Sequence, residues 1–199
     1  MGLTTESLRH AILAISKDVD ATGNLLNELD GKLGDGDLGV TMINGFNNMR
    51  SVANELPEDV GLACMGAAQA MTKVSGSSFG TLMGIALIAV AKQTRAQHEV
   101  PWSHMSDLVQ SALEAMKDRG GAKLGDKTVL DSLEAIRSAC AGLEKPEELL
   151  QAARNANAAA LAEFQDKPCK IGRARIFGDQ TIGMDDPGMV AMNEMLRAL

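Results

Sequence analysis

The sequence has no tyrosine, one tryptophan and four phenylalanines. Aromatic residues favour pleated sheets. A chain poor in them and rich in Ala, Leu, Met and Glu favours helix. Cysteine is also sparse. Cys64, Cys140 and Cys169 are odd in number, widely spaced and form no C-x-x-C pair. Neither a zinc site nor a disulfide framework is indicated, and free thiols in a reducing cytoplasm are expected. Basic residues are outnumbered, with 19 Lys and Arg against 26 Asp and Glu and a net charge of −7. Nucleic-acid binding rests on Lys and Arg facing phosphates, so this balance disfavours it. Long apolar runs are missing as well. The most apolar stretch, residues 82–91, is far too short to span a bilayer. Residues 1–17 read as an amphipathic helix rather than a signal peptide. A cytoplasmic protein without membrane or nucleic-acid partners is expected.

What is present is a core-forming composition: 45% of the 199 residues are hydrophobic, which suits a single domain over 1–199. Leu8, Ile12, Ile15 and Val19 recur at helical spacing behind the candidate caps Thr4 and Thr5, and predict a first helix to about Leu29. Further helices are predicted over 41–56, 57–74, 80–97, 103–119, 126–143, 146–164 and 187–199. Pro57 and Pro187 suit first turns. Ser103 is a candidate cap. Segment 80–97 is apolar nearly all round and is expected in the buried centre. The result is an all-α chain of about eight helices.

Thirteen of the 20 glycines fall in four connecting regions: 31, 34, 36, 39; 76, 80; 120, 121, 125; and 172, 178, 183, 188. Tight turns and helix ends explain some of them. Close approach to a ligand is the other use of glycine. The region 30–41 carries Asp30, Asp35 and Asp37 between glycines. Converging carboxylates repel one another unless a cation sits among them, and oxygen-only ligands suit magnesium or calcium. The EF-hand frame and its closing Glu are missing. A solvated acidic turn with capping Asp residues is the alternative.

The other three regions are weaker. Small residues over 74–84, ahead of an apolar helix, would expose N–H groups to an anion, or they serve helix packing. No Walker A ending is present. In 120–131, Asp126 is a candidate cap, with Lys127 and Thr128 in the first turn. Arg173 is a candidate phosphate clamp or an ordinary surface Arg. Asp186-Pro187-Gly188 has the form of a helix start. His10, His98 and His104 have no partner pattern.

Taken in order, these segments resemble the L subunit, or L domain, of the dihydroxyacetone kinases. The resemblance rests on Asp30…Asp35-Gly36-Asp37…Gly39, the 76–84 loop, Gly125-Asp126-Lys127-Thr128, Gly172-Arg173-Ala174, and Gly183…Asp186-Pro187-Gly188. It implies a barrel of eight antiparallel helices with a nucleotide, ADP or ATP, at one end. It implies two magnesium ions on Asp30, Asp35 and Asp37, bridging the phosphates. Leu38, Gly39, Val40 and Thr41 would line the nucleotide, with Ser78 and Phe79 from the second loop. Gly120 and Val129 match adenine-side positions. Arg173 matches a nucleotide-contacting Arg and Asp186, Pro187 and Gly188 the last contacting turn. The family often has a polar residue at the position of Leu38, Asn at Thr41 and Ser at Phe79.

The resemblance further implies a separate K-type subunit that holds a short ketose covalently on a His. The phosphoryl donor is either exchanging ATP or a phosphotransferase-system protein that recharges bound ADP. The assembly, a homodimer included, stays open. Two other classes also stay open. One is a nucleotide-dependent sensor that binds a transcription factor. The other is a magnesium-dependent phosphatase that uses the Asp cluster with water.

Overall fold

A computed structural model describes residues 2–73 and 77–199. Among the described residues, eight α-helices follow one another: α1 (Thr5–Leu33), α2 (Leu38–Val52), α3 (Val60–Thr72), α4 (Ser78–Gln93), α5 (Met105–Gly120), α6 (Val129–Cys140), α7 (Pro146–Gln165) and α8 (Pro187–Ala198). Short 3₁₀ segments occupy Ala53–Glu55, Trp102–His104 and Arg173–Thr181. Two three-residue strands, β1 (Gly2–Thr4) and β2 (Glu99–Pro101), pair antiparallel.

The helix order closes on itself. Each helix packs against its sequence neighbours, and α8 packs back on α1. Most connections are short, which makes successive helices antiparallel, and the longer 166–186 connection brings α8 back beside α7, so the eight form an up-and-down ring. This topology sorts the loops. The α1–α2, α3–α4, α5–α6 and α7–α8 connections emerge at one end. The α2–α3, α4–α5 and α6–α7 connections emerge at the other, where β1 lies on β2. There Thr5 donates its hydroxyl hydrogen to the Pro57 carbonyl at 2.8 Å and Arg9 Nε donates to that of Ala53 at 2.9 Å.

α1 shows why the ring holds. Ile12, Ser16, Val19, Gly23 and Leu26 are buried, at alternating spacings of four and three. That stripe faces the interior and meets Met42, Phe46, Met49 and Met71 in the main core. Ser16 is satisfied there by donating to the Ile12 carbonyl at 2.6 Å. Where α1 and α2 cross, Gly39 lies against Gly23. A Cβ on Gly39 would overlap the Gly23 carbonyl oxygen, so only glycine lets the two backbones come this close.

The helix count agrees with the sequence, while several boundaries do not. α1 continues to Leu33, which places Asp30 in its last turn. α2 begins at Leu38 rather than 41 and stops at Val52. Pro57 precedes α3 instead of opening it. Asp59 is the cap, accepting from Leu62 N at 2.8 Å. Ser103 falls inside a 3₁₀ turn, and α5 starts at Met105. Thr128, not Asp126, caps α6. α4 is not central, because a closed ring has no centre position. Gly80, Gly84 and Ala91 are buried, while Leu82, Met83 and Leu87 are only half-buried. Val74 and Gly76, named in the sequence expectations, lie outside the described residues. Among the described residues, no helix is long and apolar enough to cross a membrane.

Candidate functional site

The four glycine-bearing regions are the four loops at one end of the ring. Each leads into an even-numbered helix, so the N-termini of α2, α4, α6 and α8 all sit there. N-terminal turns present unpaired N–H groups and the positive end of the helix dipole. Between them lies a cleft of about 570 Å³, within the range of small-molecule sites. Leu38, Ser78, Val129 and Pro187 line it, one from the first turn of each helix.

On one wall the three acids converge. Asp30, Asp35 and Asp37 each offer an oxygen, and these atoms lie within 4.8 Å of one another. Asp30 is fixed by two backbone donors, Asp37 N at 2.9 Å and Leu38 N at 3.3 Å. Its carboxylate thereby ties the end of α1 to the start of α2. Gly36 between the other two has φ +72, in the left-handed region open to glycine. Gly34 passes so close that an added Cβ would come within 2.5 Å of Asp30 Oδ1. Asp37 stands at the cap position of α2 but makes no capping hydrogen bond, so its carboxylate is left for the cleft. An all-carboxylate trio with one member fixed and one uncommitted fits a hard divalent cation such as magnesium.

Arg173 comes from the opposite side. It opens the Arg173–Thr181 segment after Gly172, whose φ is +68, and its Nη1 pairs with Asp35 Oδ2. Both side chains are substantially exposed.

The α6 entrance is held by Asp131, which accepts from Gly125 N at 2.6 Å and Thr128 N at 2.8 Å. Burial pushes the Asp131 carboxyl above the ordinary range, and those N–H donors pull it back. At α8, Asp186 accepts from Met189 N at 2.9 Å. Burial raises its carboxyl to about 7, against the pull of the Met189 and Gly188 N–H groups. The three cysteines are buried and free, with thiols pushed up by burial, Cys64 to about 11.

Of the residues singled out in the sequence, Asp30, Asp35, Asp37, Leu38, Ser78, Phe79, Gly120, Val129, Arg173, Asp186, Pro187 and Gly188 line this one cleft. Gly39, Val40 and Thr41 are not among its lining residues. Inside a helix, successive side chains turn away from one another. Gly39 faces α1, Val40 is exposed with its N–H on Asn27 Oδ1 at 3.1 Å, and Thr41 is buried. Leu82, Met116 and Arg119 line the cleft too and were missed, and Thr128, quoted within the Gly125–Thr128 stretch, lines it as well. Arg119, beside Gly120-Gly121, was the one with a readable signal.

The DAK2 domain profile matches residues 32–199. The chain belongs to this family. It is 26% identical over 182 residues to the ADP-binding subunit of PEP-dependent dihydroxyacetone kinase 1 of Listeria innocua, covering 91% of this chain and 88% of that protein. It is 32% identical over 171 residues to the ADP-binding subunit of the PTS-dependent dihydroxyacetone kinase of Lactococcus lactis, covering 82% and 79%. Human triokinase/FMN cyclase is 33% identical over 187 residues, covering 87% of this chain but only 31% of that longer protein. Among solved structures, the dihydroxyacetone kinase of C. freundii in complex with AMP-PNP and Mg2+ superposes with a TM-score of 0.72 at 24% identity. That match covers 100% of this chain and 34% of the other, and it shows a shared fold.

Proposed function

We propose that this chain is the magnesium–nucleotide-binding subunit of a dihydroxyacetone-type kinase. It would act with a separate K-type subunit that holds the short ketose. The observation that carries this reading is the meeting of the Asp30–Asp35–Asp37 trio and the starts of α2, α4, α6 and α8 in one cleft, with Arg173 at its edge. A carboxylate trio and helix N-termini lining the same cleft suit a ligand that is a metal-bound polyphosphate.

In this reading Asp30, Asp35 and Asp37 hold magnesium, two ions by family resemblance. The metal, when bound, neutralises phosphate oxygens and so lowers the cost of charge build-up at the transferred group. Asp30 also orients the first turn of α2, because its carboxylate grips the Asp37 and Leu38 N–H groups. Arg173 exchanges its Asp35 partner for a phosphate oxygen. Ser78 and the other helix-start N–H groups bind the remaining oxygens. Leu82, Met116, Phe79 and Val129 give the cleft an apolar side for a purine, beside Gly120. Gly39, Val40 and Thr41 contribute through the helix they build. The attacking hydroxyl and its base come from the partner subunit. The donor is ATP, or a phosphotransferase-system protein that recharges bound ADP.

The test is a coupled assay for phosphorylated dihydroxyacetone. The chain is mixed with a K-type subunit and supplied with either ATP or the phosphotransferase chain. Activity that needs both subunits supports the proposal. Phosphate release by this chain alone, with no ketose phosphorylation in any mixture, would overturn it in favour of a phosphatase.

A further inference from the structure

Lys127 is fully buried, at 1% exposure, the largest side chain so enclosed in the described part of the molecule. Its backbone has φ +64, an uncommon conformation for a residue with a side chain. Its ammonium donates to three carbonyl oxygens: Lys167 at 2.7 Å, Thr181 at 3.0 Å and Gln165 at 3.2 Å. A lysine ammonium has three donors, so each one is used. Lysines are rarely buried, because a charge taken out of water must recover its solvation from fixed dipoles, here the three carbonyls.

The identity of those carbonyls gives the arrangement its meaning. Gln165 ends α7, Lys167 lies two residues on, and Thr181 ends the Arg173–Thr181 segment. They are the two roots of the excursion that carries Arg173 to the cleft. Other bonds close the same base. Cys169 N donates to Thr181 Oγ1 at 2.8 Å, and Gly183 N donates to the Gln165 carbonyl at 2.8 Å. Lys127 adds the link to the cleft itself, since the next residue, Thr128, caps α6 and lines it.

We propose that Lys127 is a positioning residue for Arg173: its ammonium clamps both roots of the 166–181 excursion and so fixes where the guanidinium stands. The proposal rests on the reading of the cleft as a nucleotide site.

The test uses the full chain with magnesium and ADP, at a temperature well below each variant's melting point. Lys127→Met keeps the bulk and loses the three donors. It should weaken ADP roughly tenfold, a loss of about 1.4 kcal/mol, comparable with Arg173→Ala. The double variant should bind no worse than Arg173→Ala alone, because coupled residues lose one effect only once. Amide exchange over 166–181 should accelerate in Lys127→Met, while α1 to α4 stay protected. Fully additive losses, or unchanged ADP affinity in Lys127→Met, would overturn the proposal. If Arg173→Ala itself leaves ADP binding intact, the nucleotide reading fails instead, and exchange over 166–181 still decides whether Lys127 holds the segment. Should Lys127→Met not fold, Lys127→Arg keeps charge and donors in a poorer fit. The same cycle with Arg173→Ala then decides.

Discussion

Arg173 and Asp35 are paired across the mouth of the cleft although 138 residues separate them in sequence. The pair joins the loop that carries the acid trio to the segment that carries Arg173. In the proposed reading, a metal ion that claims Asp35 would free Arg173 for an anion, so binding of metal and polyphosphate would be mutually favourable. Arg173→Ala is therefore expected to strengthen magnesium binding without nucleotide and to weaken ADP by about 1.5–3 kcal/mol, the size of a hydrogen bond to a charged group. Titration calorimetry with each ligand separately reads both signs. Weaker magnesium binding in the variant would count against the exchange.

The three acids should not respond alike. In the proposed reading, Asp35→Asn and Asp37→Asn would each remove a metal ligand without breaking a capping bond. Each should abolish most of the magnesium-dependent rise in Tm while leaving the free chain as stable as before. Wild-type chain with ligand at 100 times its Kd gains about 2.7 kcal/mol. Asp30→Ala should do more. It strands the Asp37 and Leu38 N–H groups and should cost about 1–3 kcal/mol even without metal. Thermal melts with and without magnesium and ADP separate the two kinds of loss.

Leu38 is 5% exposed and belongs to the main core. Leu38→Ala should destabilise the fold by about 2–5 kcal/mol, as buried Leu truncations do, yet weaken ADP less than Arg173→Ala. Denaturant unfolding and ADP titration on the same two variants give the comparison. A larger ADP loss for Leu38→Ala would mean its side chain touches the nucleotide directly.

Asp186 gives a pH signature. Its folded carboxyl is raised to about 7 by burial, above its unfolded value near 3.9. A raised acid favours the protonated folded form. Its stabilising contribution is therefore complete below about pH 4 and is lost as pH rises through 7. Asp186→Asn keeps a neutral cap on α8 and should remove this slope. The difference in Tm between wild type and variant should thus shift steadily against the wild type from pH 4 to pH 8. A constant difference across that window would show that the carboxyl is not raised.

Much of the site was legible because it is local. Asp30, Asp35 and Asp37 sit within eight residues, and their spacing raised a cation site beside the alternative of a solvated acidic turn. Asp186-Pro187 declares a helix start, and α8 begins there with Asp186 as cap. The role of Lys127 was not legible, because its three partners lie 38, 40 and 54 residues away. Asp126 and Thr128 are both competent caps. The choice falls to Thr128 because Asp131, three residues on, accepts from the Thr128 N–H in a capping box, a spacing present in the sequence and overlooked there. β1 and β2 are too short for an alternating pattern to show. The convergence of the four loops followed from no single loop. It follows from eight helices in strict alternation, which sends every second connection to the same end.

That alternation also decides where another protein can be joined. α1 starts, and α8 finishes, at the end away from the cleft, and the two helices are neighbours in the ring. A covalent tether at either terminus therefore leaves the cleft mouth uncovered and the four helix starts undisturbed. Closely placed ends further make the ring a candidate for circular permutation. New termini in the α2–α3 or α6–α7 connection should preserve magnesium–ADP binding, whereas a cut in the α1–α2 loop should abolish it.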